Sequence, residues 1–134
     1  MILVVCLDDA FGMMFNKRRQ SRDRVLISDL VRYADGRAVC VSPYSAPLFP
    51  EDTPALKIDE HPEGLARTGE LCFCEDFDPV TVADKIEELV IYRWNRLYPQ
   101  DVRFRLSLAD YTLVSTESFE GSSHEKITKE IWKK

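Results

Sequence analysis

The densest concentration of side chains able to do chemistry is one short segment, Asn16-Lys17-Arg18-Arg19-Gln20-Ser21-Arg22-Asp23-Arg24. Guanidinium groups make two-pronged contacts to phosphates and carboxylates. Arg18, Arg19 and Arg22 are therefore candidates to hold a phosphorylated small molecule, a nucleotide or an acidic protein partner. Asn16 and Gln20 add polar groups suited to ring or amide recognition. The plainer reading is a solvated loop partly neutralised by Asp8, Asp9 and Asp23. Asp23 can cap the helix that begins beside it. Asp29 is expected at an exposed position of that helix.

The remaining reactive residues are scattered. His61 and His124 are proton carriers by type, and neither has a partner visible in the sequence. No spacing marks a Ser-His-Asp or Cys-His arrangement, and two histidines are too few for a multi-histidine metal centre. Cys6, Cys40, Cys72 and Cys74 all fall in apolar stretches, which points to buried, reduced, structural thiols. Glu75-Asp76 could attract a cation, though adjacent strand-end carboxylates usually face water. No metal site is expected. Phe15, Tyr44, Tyr92 and Trp94 can line a pocket for a planar ligand, although aromatics near strand ends more often belong to the core.

The elements that must position these residues alternate. Ile2 to Cys6 is a continuous apolar, β-branched run, as in a strand buried on both faces with helices on both sides. Asp23 to Ala34 carries Leu26, Leu30, Val31 and Ala34 at helical spacing, with Ser21 or Asp23 to cap its start and Gly36 after its end. Strands are expected at Ala38 to Val41, Ala55 to Ile58, Glu70 to Cys74 and Leu89 to Trp94. The prolines at 43, 47, 50 and 54 allow no long helix between the first two of these. One helical turn is expected at Glu63 to Arg67, and a helix from Asp78-Pro79 through Glu87. Leu113 to Ser115 and Ile127 to Trp132 flank Gly121-Ser122-Ser123 without a helix between them, the pattern of an antiparallel hairpin.

These expectations define the class: α/β, one domain over residues 1–134, with a mainly parallel open sheet, flanking helices and a C-terminal antiparallel hairpin. Eighteen basic and twenty-three acidic residues give a net charge of −5, which disfavours nucleic acid as a partner. The opening apolar run is too short for a signal peptide and no stretch could span a membrane, so a cytoplasmic protein is expected.

Asp8-x-x-x-Gly12-Met13 after the first strand, Asp101-x-x-Phe104, Ser123-His124 and the closing hairpin together resemble the dihydrofolate reductase family over about half of the chain. The related reductase domain of riboflavin biosynthesis is a more distant likeness. The family resemblance implies that Asp23 stands where an acid binds the pterin ring and assists protonation, which makes it the candidate catalytic group, able to form a paired, charge-assisted hydrogen bond to an amidine-like ligand edge, with the helix cap as the alternative role; it also implies that Tyr92 stands where a threonine supports that acid. The departures concern the cofactor. In the family, paired glycines follow the strand equivalent to Leu71–Cys74 and let main-chain amides approach a diphosphate; here Glu75-Asp76-Phe77 follows. The family's phosphate-reading arginine has become Ser42-Pro43-Tyr44-Ser45, and neither G-x-G-x-x-G nor G-x-x-x-x-G-K-[ST] occurs. NADPH is accordingly disfavoured and no other cofactor is expected. The reading is a non-catalytic protein that binds a small ligand or a protein partner in the substrate cleft, through Asn16, Arg18, Arg19, Gln20, Arg22, Asp23 and Tyr92. The alternative is a divergent oxidoreductase, or another enzyme, acting on a pterin-like or phosphorylated metabolite.

Overall fold

Strand β1 (Ile2–Leu7) lies in the middle of the molecule, paired in parallel with β6 (Leu71–Cys74) on one side and β7 (Glu88–Arg93) on the other, in a computed structural model that describes residues 1–134. Its apolar run is continuous because both of its faces are covered. Ile2 and Val4 point into one core with Leu71, Phe73, Val90, Tyr92 and Trp94. Leu3, Val5 and Leu7 point into a second core with Cys72, Cys74, Leu89 and Ile91.

Outward from β6 lie β4 (Val39–Val41) and β5 (Leu56–Ile58), both parallel; outward from β7 lie β10 (Ile127–Lys133) and β9 (Thr112–Phe119), joined as an antiparallel hairpin. The seven-stranded order is β5-β4-β6-β1-β7-β10-β9. The fold is thus α/β, with a mostly parallel sheet and an antiparallel hairpin at one edge, as the sequence pattern predicts. The hairpin strands are longer than expected, because seven cross-strand pairs carry the ladder past Ser115 to Phe119.

The first core is closed by helix α1 (Arg24–Ala34), which inserts Leu26, Ile27, Leu30 and Ala34. The expectation of helices on both faces is not met. The stretch expected as a helix from Asp78 to Glu87 is a 3-10 segment, Pro79–Lys85, with a break at Val82 (φ −126°). Asp78 does cap it, accepting from the Val80 amide at 3.0 Å. The β-branched run Val80-Thr81-Val82 disfavours a regular α-helix, and one turn suffices to seat Val82 and Ile86 in the second core. Met13, Met14, Phe104 and Tyr111 complete that face. The other helical turn is α2 (Pro62–Leu65).

The segment between β1 and α1 is more ordered than a charged loop. β2 (Gly12–Phe15) and β3 (Arg18–Arg19) form a hairpin about Asn16-Lys17, both at positive φ as a tight two-residue turn requires, and β8 (Val102–Arg103) pairs with β2. Asp8 organises this small sheet. Its buried carboxylate accepts from the amides of Ala10, Gly12 and Tyr98 and from Gln20 Nε2. No helix is long and apolar enough to cross a membrane.

Candidate functional site

At the carboxyl ends of β1, β6 and β7, beside the start of α1, lies a narrow, nearly closed cleft with about 20 Å³ of open space, room for one water-sized molecule. This is the place where open α/β sheets offer a crevice for ligands. Its apolar wall is Cys6, Met13, Leu26, Ile27, Phe73 and Trp94. Its polar rim is Arg19, Gln20, Ser21, Arg22, Asp23 and Glu75. Arg22, Asp23, Ile27 and Leu48 also line a shallower groove that continues past Arg24, Ser122 and Ser123.

Asp23 is buried and caps α1. Oδ1 accepts from the amides of Val25 (2.9 Å), Leu26 (3.2 Å) and Ser122 (3.0 Å). Oδ2 accepts from the Ser123 amide (2.8 Å) and hydroxyl (3.2 Å), and faces His124 Nδ1 at 3.1 Å. Burial pushes its pKa up, but the amides of Ser122 and Ser123, the His124 ring and the Leu26 amide outweigh that and hold the carboxyl far below its ordinary value of 3.8. The capping reading of Asp23 therefore describes the fold. A ligand edge would have to displace one of these donors to reach the carboxylate.

His124 has the partners that the sequence could not reveal. Its ring is buried, stacked on Trp94 with centroids 4.4 Å apart and planes at 22°. Nε2 lies 3.2 Å from Ser21 Oγ and 2.9 Å from the Tyr98 hydroxyl. Ser21, His124 and Asp23 thus form one continuous line of hydrogen-bonding groups across the mouth of the cleft. The other histidine, His61, is exposed, and its ring meets only Glu63.

The basic segment is divided by the fold. Arg19 turns inward and grips Glu75 with two bonds, Nε to Oε2 at 2.9 Å and a terminal nitrogen to Oε1 at 3.1 Å. The same guanidinium donates to the Tyr44 carbonyl and lies 4.2 Å above the Tyr44 ring. Ser45 Oγ donates to Glu75 Oε1 at 2.7 Å. This clasp covers the end of β6. Of the three residues after that strand, Glu75 alone occupies the crossing. Asp76 is exposed, and Phe77 packs against the second core while its carbonyl accepts from the Cys74 thiol.

Gln20 lines the cleft, but its amide nitrogen donates to Asp8 and to the Pro99 carbonyl. Arg22 lines both cleft and groove, without a carboxylate partner. Asn16 and Arg18 sit on the outside of the β2–β3 hairpin, away from the cleft, because the turn at Asn16-Lys17 faces them to solvent. Tyr92 is fully buried under α1, where its hydroxyl donates to Asp29 at 2.6 Å. It supports Asp29 and not Asp23, since its side chain runs under the middle of α1. Asp29 is itself buried, held by Tyr92, Lys129 and Arg32, which corrects the exposed position expected for it.

All four cysteines are free, and burial pushes each thiol pKa up, so none is a ready thiolate. No group of three His, Cys, Asp or Glu side chains is placed to share a metal ion. Sequence reasoning named Ser21 only as a cap and did not single out Leu48 in the cleft or Tyr98 beside His124. Only the nearness of Ser21 to Asp23 could have drawn attention to it. No protein-family model matches this chain, and no curated protein matches it.

Proposed function

We propose that this chain is a small-molecule-binding protein on a dihydrofolate reductase-like scaffold, and that it does not use NADPH. The ligand has an apolar or planar body, laid against Ile27, Pro47 and Leu48, and an anionic group held by Arg22 and Arg24. One observation carries this reading: a groove of about 530 Å³, which shares Arg22, Asp23, Ile27 and Leu48 with the narrow cleft, sets the apolar residues Ile27, Pro47 and Leu48 beside two arginines. Arginine beside an apolar wall favours flat, negatively charged organic molecules. The scaffold proposal is supported by the sheet order, the antiparallel hairpin at its edge and the acid at the start of α1.

The case against a dinucleotide rests on Glu75. Its carboxylate stands after β6, where a diphosphate would need bare main-chain N–H groups, and it is locked there by Arg19 and Ser45. Thermal-shift measurements with folates, nucleotides, NADPH and NADH test the reading. A true ligand at one hundred times its dissociation constant adds about 2.7 kcal/mol of stability. Replacing Arg22 and Arg24 by Ala should weaken that ligand about tenfold or more, and the loss should shrink at high salt. A clear shift with NADPH would overturn the proposal.

A further inference from the structure

We propose that Ser21 is a nucleophile, with His124 as its base and Asp23 as the residue that positions the base, and that the site transfers the acyl group of a small ester to water. The inference goes beyond the binding reading and does not depend on it. Its ground is geometric: Ser21 Oγ, His124 Nε2, His124 Nδ1 and Asp23 Oδ2 follow one another at 3.2 Å and 3.1 Å across a single imidazole. That constellation is defined by mutual placement and not by order in the chain, so its members can come from opposite ends of a sequence.

Each part has the property its role requires. Asp23 is an ionised, buried carboxylate and can only accept, so the Nδ1 facing it carries the proton. The lone pair is thereby left on Nε2, toward Ser21. Trp94 stacked on the ring fixes its plane. Ser21 is half-exposed and lines the cleft, so it can be reached from solvent. Arg22, adjacent in the chain and lining the same cleft, is the cation available to an oxyanion.

Tyr98 adds a control. Its hydroxyl is 2.9 Å from the same Nε2, nearer than Ser21. A neutral imidazole has one lone pair there, so a hydrogen bond from Tyr98 competes with that from Ser21 and damps the base at rest.

In the reaction, Ser21 Oγ bonds to the ester carbonyl carbon as its proton passes to His124 Nε2. The tetrahedral oxyanion then collapses, the bond to the leaving oxygen breaks, and that oxygen takes the proton from Nε2 and departs as an alcohol. Water next gives a proton to Nε2 and its oxygen to the acyl carbon. The acyl bond to Ser21 breaks, a carboxylic acid leaves, and the proton returns to Ser21 Oγ.

The test is labelling of the full chain with a fluorophosphonate probe, read by intact mass and peptide mapping, beside hydrolysis of p-nitrophenyl acetate and butyrate. One adduct is expected, on Ser21. Ser21→Ala, which removes a single hydroxyl and leaves Tyr98 bonded to His124 Nε2, should abolish it. His124→Gln should slow labelling at least about 100-fold, and Tyr98→Phe should speed it several-fold. Asp23→Asn should lower kcat about 100-fold or more at a folded fraction matched to the parent by circular dichroism, and Asp23→Glu should restore part of it. Absence of an adduct on Ser21, an adduct that persists in Ser21→Ala, or labelling no slower in His124→Gln overturns the proposal. Should His124→Gln not fold, Tyr98→Phe decides by the direction of its change. The fluorophosphonate result is independent of any cleft ligand, so a ligand panel that shows no shift would sink the binding reading and leave this one standing.

Discussion

Asp23 shows how a single residue can be both cap and hub. Each of its carboxylate oxygens has three donors, drawn from the first turn of α1 and from the Ser122–His124 loop. These donors prefer the charged form, so the folded-state pKa lies below the unfolded value near 3.8. The stability it contributes is complete above that value and is lost as pH falls through it toward the folded pKa. The pKa values of Asp8 and Asp29 are depressed too, by amide donors at Asp8 and by Tyr92 and Lys129 at Asp29, in each case against the opposing effect of burial. The urea midpoint should therefore stay level from neutral pH down to about pH 5 and fall steeply below about pH 4. Asp23→Asn should be less stable at neutral pH by about 1–3 kcal/mol and should fall less steeply in acid. Equal acid slopes in the two proteins would show that these bonds do not favour the ionised form.

At the scale of elements, the start of α1 is stapled to the loop between β9 and β10, about a hundred residues away in the chain. Gly121 makes the close approach possible. A Cβ there would collide with the Asp23 carboxylate and with Ile127 Cδ1, neither of which can withdraw without breaking the cap or opening the core. Gly121→Ala should cost about 1–3 kcal/mol, measured as a shift in urea midpoint. Gly64→Ala is the matched control: a Cβ at that helical position meets nothing within 4 Å, so little change is expected. Two equal shifts would mean that the staple is loose enough to give way.

At the scale of the molecule, one sheet carries two cores, and each contains or adjoins one tryptophan. Trp94 belongs to the core under α1 and Trp132 packs against the opposite one. Because both cores share β1, β6 and β7, they should melt together. In Trp94→Phe and Trp132→Phe separately, urea unfolding followed by the remaining indole should coincide with unfolding followed by far-UV circular dichroism. A fluorescence transition displaced from the circular dichroism in either variant would show that the two faces unfold independently.

What the chain determined by itself is what local pattern can encode. The unbroken apolar run of β1, the Leu26–Ala34 stripe, the Asp23 cap and the hairpin after Gly121 each depend on neighbours a few positions apart, and each stands where the pattern places it. The segment after Asp78 is 3-10 and not the expected helix because a Val and Ile spaced for a helix also suit a single tight turn. What tertiary structure decided is which distant groups meet. The Arg19–Glu75 clasp, the Tyr92–Asp29 bond and the Ser21–His124–Asp23 line join residues 56, 63 and about 100 positions apart. No periodicity records such meetings, since strand order and register bring these side chains together only after the sheet has formed.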